Sequence, residues 1–199
     1  MNFRQIKTVY TFFCILLCLI FIAPTLFVTI PLPNSESFSE MWLLGDNNMI
    51  ETGAFNILLT EPSTVYLGVA NHMDKLEYYT VYVKLRNQSQ ALRETSPQLP
   101  SPIKSIFAYH LFLTNNEPWE TPFTFSFETV SFEGNISRIS TLSINGKEVS
   151  VNTTLARDTI SGHFRCQILF ELWIYNSTIS GFQYHNRSVW FWINLIEPS

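Results

Sequence analysis

From residue 37 onward apolar and polar side chains alternate in short runs, the period-two pattern of half-buried β-strands. The clearest run is Thr64 to Asn87. Val65, Leu67 and Val69 alternate with Tyr66, Gly68 and Ala70, and after a polar break Tyr79, Val81, Val83 and Leu85 alternate with Tyr78, Thr80, Tyr82, Lys84 and Arg86. The break, Asn71 to Lys75, collects turn-forming side chains, so the two arms are expected to form an antiparallel hairpin closed by Asn71 and His72. Further strands are predicted over Phe38–Leu44, Asn56–Leu59, Ile106–Leu113 and Thr121–Phe132, the last with Phe123, Phe125 and Phe127 on one side. Ile139–Val151 contains Asn145-Gly146, a dipeptide suited to a tight hairpin because both positions tolerate positive φ. Phe164–Tyr175 and Val189–Ile196 complete the series. About nine strands without an amphipathic helix predict an all-β fold, an antiparallel two-sheet β-sandwich of immunoglobulin-like type, with a closed barrel as the weaker alternative.

The N-terminus breaks this pattern. Val9 to Ile30 carries no charged residue, and 22 residues at about 1.5 Å each cover a hydrocarbon core of about 30 Å. Arg4 and Lys7 precede the run, while Glu36 and Glu40 follow it. The positive-inside tendency therefore places residues 1–8 in the cytoplasm, a single transmembrane helix over 9–30, a linker over 31–36 and the β domain, 37–199, outside the cell. A cleaved signal peptide is the rival reading, but the apolar run is long for one and no A-x-A-like triplet follows it. Cys14 and Cys18 are spaced to share one helical face.

Composition narrows the chemistry. Phe, Tyr and Trp make up 15% of the 199 residues and charged residues only 14%, with a formal net charge of -4 and no long basic run. Nucleic acid is therefore not an expected partner, since phosphate binding needs concentrated Lys and Arg. Of the three cysteines only Cys166 lies beyond the N-terminal run. The outer domain thus has no disulfide framework, and Cys166, on the apolar side of its strand, reads as a small buried hydrophobe. The four histidines show no metal-ligand spacing, and neither a nucleophile elbow nor a phosphate-cradling glycine loop occurs. No catalytic residue, metal or cofactor is expected.

What remains are surface features. Five N-x-[ST] sequons begin at Asn87, Asn135, Asn152, Asn176 and Asn186, all beyond the apolar segment, and are read as glycosylation acceptors. Trp190 and Trp192 fall on the side of the last strand opposite Val189, Phe191 and Ile193, and Trp173 can likewise face away from the core. Were these strands neighbours, an aromatic patch would form, either exposed as a contact surface or covered by a loop such as the Pro-rich segment 96–102. The polar group Asn71, His72 and Asp74 is the other binding candidate, weighed against a plain hydrogen-bonded turn.

The anchor, the strand ending in Trp42 to Gly45, the stretch VYLGVANHMDKLEYYTVYV (Val65 to Val83) and the C-terminal block FELWIYN...HNRSVWFWINL resemble archaeal membrane-anchored proteins grouped as a domain of unknown function with a β-sandwich ectodomain. The resemblance implies localisation and fold, and no activity. Members of that family often have several membrane helices where this chain has one.

These features lead to the expectation of a non-enzymatic, glycosylated cell-surface module of an archaeal envelope, single-pass in the cell membrane. It would contact lipid through its helix and an envelope or membrane protein through its loops or aromatic face. The alternatives are an accessory subunit of a membrane complex and a glycan-acting envelope enzyme using carboxylates such as Asp74, Glu77, Glu117 or Glu171.

Overall fold

The computed structural model describes residues 3–29, 37–45, 55–90, 99–159 and 161–197, with side chains of the N-terminal helix described over 5–20. The chain divides into two compact units, Met1–Ser37 and Phe38–Ser199. The first is the helix α1, Phe3–Thr29. The membrane span expected over 9–30 runs past the side chains described, and among the described residues no helix is long and apolar enough to cross a membrane. Of the turn expected after the first strand, residues 46–48 lie outside the described residues, as do residues 91–98 of the Pro-rich stretch.

The second unit is an all-β sandwich of ten strands: β1 Phe38–Leu44, β2 Phe55–Ile57, β3 Ser63–His72, β4 Glu77–Asn87, β5 Phe107–Leu113, β6 Pro118–Glu133, β7 Ile136–Ile144, β8 Lys147–Ala156, β9 Phe164–Asn176 and β10 Gly181–Leu195. They form two five-stranded sheets, a first ordered β1-β3-β6-β7-β8 and a second ordered β2-β10-β9-β4-β5. Every pairing is antiparallel except β2 with β10. β10 begins at Gly181, eight residues before the expected Val189, because the polar stretch His185, Asn186 and Arg187 is a bulge within the strand rather than its boundary.

The expected hairpin of Thr64 to Asn87 does not form. β3 pairs with β1 and β6, whereas β4 pairs with β5 and β9 in the other sheet. The turn at Met73 to Leu76 therefore carries the chain across the sandwich. Alternation fixes which side of a strand is apolar, and that demand is met equally when two strands lie side by side or face one another across a core. Here Val65, Leu67 and Val69 of β3 and Tyr79, Val81 and Val83 of β4 are buried from opposite sheets. The β5–β6 turn makes the same crossing at the same end. By contrast the Asn145-Gly146 hairpin joins β7 to β8 as expected, both residues at positive φ, 50° and 75°.

Phe123, Phe125 and Phe127 of β6 are wholly buried and meet the second sheet ring to ring, Phe123 on Phe170 at 4.9 Å and Phe125 on Phe191 at 5.5 Å. Each such side chain contributes about 1.5–3 kcal/mol by burial. Cys166 is wholly buried in this core, and desolvation pushes its thiol up to about 12, so it packs as a hydrophobe. Gly68 admits a second aromatic contact. A Cβ there would lie 2.0 Å from Trp42 Cε2, so glycine lets the Trp42 indole lie flat across β3, its Nε1 donating to Glu120.

At the crossing end a buried polar network joins the sheets. Asn71, wholly buried, donates from Nδ2 to the carbonyls of Lys75 and Leu113, both at 2.7 Å, and accepts at Oδ1 from Met73 N–H. With Nδ2 committed to two carbonyls, Oδ1 is the atom that takes the Tyr79 hydroxyl at 3.1 Å. The Tyr79 oxygen then accepts from Ser39, 2.7 Å away, and Ser39 Oγ accepts from Nε2–H of His185 at 3.0 Å. The chain His185, Ser39, Tyr79, Asn71 thus passes through β10, β1, β4 and β3 in turn. The second crossing is sewn to the first by Asp74 with Asn115 and by His72 with Asn116, and it is braced by Glu117, which the Thr114 N–H and hydroxyl hold below its ordinary carboxylate range.

Replacing Asn71 by Ala is expected to cost about 1–3 kcal/mol for each buried group left unpaired, far more than Asn115→Ala at an exposed position, as read from urea unfolding. Burial, and secondarily Arg187, lower the His185 pKa below its ordinary 6.5, against a smaller upward pull from Glu77. The unfolded chain then binds more protons near that pH, so this group's contribution is intact above about 6.5 and is lost as pH falls through the lowered folded value. Thermal melts between pH 8 and pH 4.5 should show a component of this decline that His185→Gln removes.

Candidate interaction face

Strand alternation sends half of each strand in the second sheet away from the core. On this outer face β4 presents Tyr78, Thr80, Tyr82, Lys84 and Arg86, and β9 presents Gln167, Glu171, Trp173 and Tyr175, with Trp190 and Trp192 beside them on β10. The condition set by the sequence is met: β9 and β10 are neighbours, and Trp173, Trp190 and Trp192 share one face.

Toward the crossing end the face is aromatic. Tyr78 stacks on Phe112 of edge strand β5 at 4.2 Å with the planes 5° apart and meets Phe182 edge-on at 4.9 Å, while Tyr175 meets Phe182 at 5.6 Å. Trp173 packs edge-on against Tyr82 at 5.5 Å and tilts toward Tyr184 at 5.9 Å.

Mid-face lies a buried ion pair, Lys84 with Glu171 at 2.7 Å, both almost fully enclosed. Lys84 Nζ also donates to the Ser101 carbonyl at 2.7 Å, and Ser101 N–H donates to the other oxygen of Glu171 at 2.6 Å. Trp173 Nε1 adds a longer bond of 3.4 Å to Glu171. The pair therefore clasps the backbone of Ser101, and the described part of the Pro-rich stretch, residues 99–102, is held on the sheet rather than free. Prolines before and after Ser101 suit this, since an extended segment without ladder bonds offers its N–H and C=O to side chains.

Beyond the clasp the face turns polar. Gln167 stands opposite Arg86 on one side and Trp192 on the other. It is wholly buried, yet among the described residues neither its Oε1 nor its Nε2 has a hydrogen-bond partner, and the same lack holds for Nε of Arg86, Nε of Arg165 and Oδ1 of Asn194. Arg165 lies over the Trp192 ring at 4.9 Å and faces Asp158 at 3.7 Å. Desolvation lowers the Arg86 pKa against the opposing pull of Glu171. Trp190 stands exposed at the margin.

The other candidate residues lie elsewhere. Asn71 is enclosed, with its side chain committed to the network described above. His72 and Asp74 sit at the crossing, His72 stacked on Phe38 at 4.7 Å and 3.7 Å from Glu40. Of the carboxylates weighed for glycan chemistry, Glu171 belongs to the clasp, Glu77 pairs with Lys75 at 2.9 Å, and Asp74 and Glu117 serve their turns. Among the described residues no cluster has the composition to hold a metal ion. The sequon residues Asn135, Asn152 and Asn186 are exposed, the latter two at positive φ, 48° and 54°, in bulges. Asn87 and Asn176 are half-buried at the ends of β4 and β9. Asn87 and Asn152 line a cleft of about 610 Å³ with Leu85, Ile103 and Val151.

Neither a protein-family model nor a curated protein matches the sequence. The resemblance to an archaeal family is thus not carried further; the β-sandwich rests on the strand topology. Similar solved structures include a β-glucosidase mutant from Listeria innocua in complex with laminaribiose, at TM-score 0.37 and 10% identity over 82% of this chain and 17% of that one. The unmutated Listeria enzyme is similar at TM-score 0.34 and 11% identity over 81% and 16%. The complex of zinc 2-glycoprotein and prolactin inducible protein from human seminal plasma is similar at TM-score 0.36 and 8% identity over 82% of this chain and 98% of that one. The chain spans about a sixth of the glucosidase chains, and at these scores no activity follows from any of them.

The clasp has a measurable signature. Lys84→Met, which strands a buried carboxylate, should cost about 3–5 kcal/mol in unfolding free energy, and Lys84→Met with Glu171→Leu should recover most of it, as expected when a buried pair is replaced by apolar groups.

Proposed function

We propose that the chain is a membrane-anchored, glycosylated surface module with a non-enzymatic binding role, its sandwich outside the cell and its partner an envelope or membrane protein. The anchor reading is supported by the 22 uncharged residues of Val9–Ile30, nearly all within the 27-residue helix α1. An immunoglobulin-like sandwich is supported by the way β1 and β2 divide between the sheets, β2 running parallel to β10. The observation that carries the binding role is the outer face of the second sheet, where exposed Trp190 and half-buried Trp192 share one side with the desolvated Arg86 and with Arg165, which lies over the Trp192 ring at 4.9 Å. An exposed Trp next to desolvated Arg is also the composition of interface hot spots.

In native membranes the full chain should stay in the pellet after alkaline carbonate washing and should shift in mobility on deglycosylation; release by carbonate would overturn the anchor. Mild detergent extraction and affinity purification should recover the wild type with a protein partner and Trp190→Ala with much less of it at unchanged Tm. Recovery of both only as free monomer would overturn the binding role.

A further inference from the structure

β8 is the last strand of the first sheet, and across from it the second sheet ends unevenly. β5 stops pairing with β4 at Phe107 and Val83, while β4 runs on to Asn87. Between β8 and this end of β4 lies the cleft of about 610 Å³, within the about 300–1,000 Å³ of small-ligand sites. Its third wall is the segment from Ser101 to Ile106, fixed at one end by the Lys84–Glu171 clasp and at the other by Ile106 N–H, which donates to the Val83 carbonyl at 2.8 Å. The lining mixes apolar Leu85, Ile103 and Val151 with polar Gln90, Lys104 and Ser150. One residue of this lining is an acceptor open to modification. Asn152 is exposed and stands at φ 48° in the bulge where β8 slips register against β7 between Ser150 and Thr153. A bulge takes a residue out of the ladder and re-aims its side chain. Thr154, which completes the sequon, is exposed as well. Asn87 lines the same cleft but is held in its own turn, its Oδ1 accepting from Ser89 Oγ at 2.8 Å and from Gln90 N–H at 3.0 Å.

We infer that this cleft seats the first sugar of a glycan on Asn152, so that the sugar ties the edge of the first sheet to the open end of β4 in the second. The inference rests on the glycosylated-surface reading above. The attachment point decides the occupant, because a sugar rooted on the cleft wall is held there at a high effective concentration. A pyranose also suits the lining. Its ring carries C–H groups on a face that packs on apolar side chains and hydroxyls at an edge that bonds to polar ones, and the cleft offers both kinds. In the transfer, Asn152 Nδ2 bonds to the anomeric carbon of a lipid-linked glycosyl phosphate as the bond from that carbon to the phosphate oxygen breaks. The phosphate leaves with the electron pair, and one amide proton passes to a base of the transferase. Seated in this way, the glycan braces the sandwich at the side where β5 has left β4 uncovered.

The test uses the full chain purified from native membranes in mild detergent. Folded and urea-unfolded samples are treated with an amidase that cleaves N-linked glycans, and each sequon is read by mass spectrometry. In the folded chain the sugar on Asn152 is expected to survive while sugar on exposed Asn135 or Asn186 is released; unfolding should open all of them. Thr154→Val removes the sequon and leaves the positive-φ asparagine in place, and it should lower the Tm by about 2–4 °C, whereas Asn135→Gln should leave it unchanged. Made in a host without N-glycosylation, the wild type and Thr154→Val should melt together. Four results overturn the seat and leave the glycoprotein reading standing: release from Asn152 as fast as from Asn135 or Asn186, equal melts of the glycosylated wild type and Thr154→Val, a Tm difference that persists without glycosylation, or a bare Asn152 beside modified sequons. Sugar on none of the five sequons overturns both.

Discussion

The sandwich depends on a file of hydrogen bonds that crosses it, from His185 through Ser39 and Tyr79 to Asn71. Apolar packing alone would let two sheets slide or rotate over one another, because dispersion and burial are nearly indifferent to direction. A directional chain through four strands removes that freedom at one end. It also determines its own protonation, since one amide nitrogen committed to two carbonyls sets the sense of every later donor down to His185 Nε2. The Asn145-Gly146 turn, by comparison, is a local device whose loss would touch only β7 and β8.

The outer face repeats this logic in reverse. Most sandwiches of this kind have polar side chains in water on their outer faces, and Tyr82, Lys84 and Arg86 alternate as if they would do so. Here Lys84 is enclosed by Glu171 and by a loop that supplies one carbonyl and one N–H. The desolvation of that pair is offset by fixing the segment that covers it. The same segment divides the face into an aromatic half and a polar half, two surfaces of different chemistry on one sheet.

Much of this was legible from alternation. Nearly every strand, the apolar side of each, the burial of Cys166, the type of the Asn145-Gly146 turn and the shared side of Trp190 and Trp192 follow from residue order. What alternation does not contain is adjacency. The arms around Asn71 looked like a hairpin because β3 and β4 each show one apolar side, a condition that does not say which strands flank them. Asn71 itself read as a turn residue, but its decisive bond goes to Leu113, 42 residues away. The Lys84–Glu171 pair spans 87 residues, and nothing near either side chain announces it. The first half of β10 was missed because a bulge at Asn186 looks, residue by residue, like a loop.

The bond from Asn87 Nδ2 to the Thr154 carbonyl, 67 residues downstream, implies an order of events. That amide nitrogen is the atom to which a sugar would be joined, and in the finished fold it is half-buried and engaged with β8. A transferase reaches it freely only while the chain as far as Thr154 is still emerging or undocked. Occupancy at this sequon would therefore record a race between synthesis and folding. Asn135, exposed on its turn, would be modified at any time.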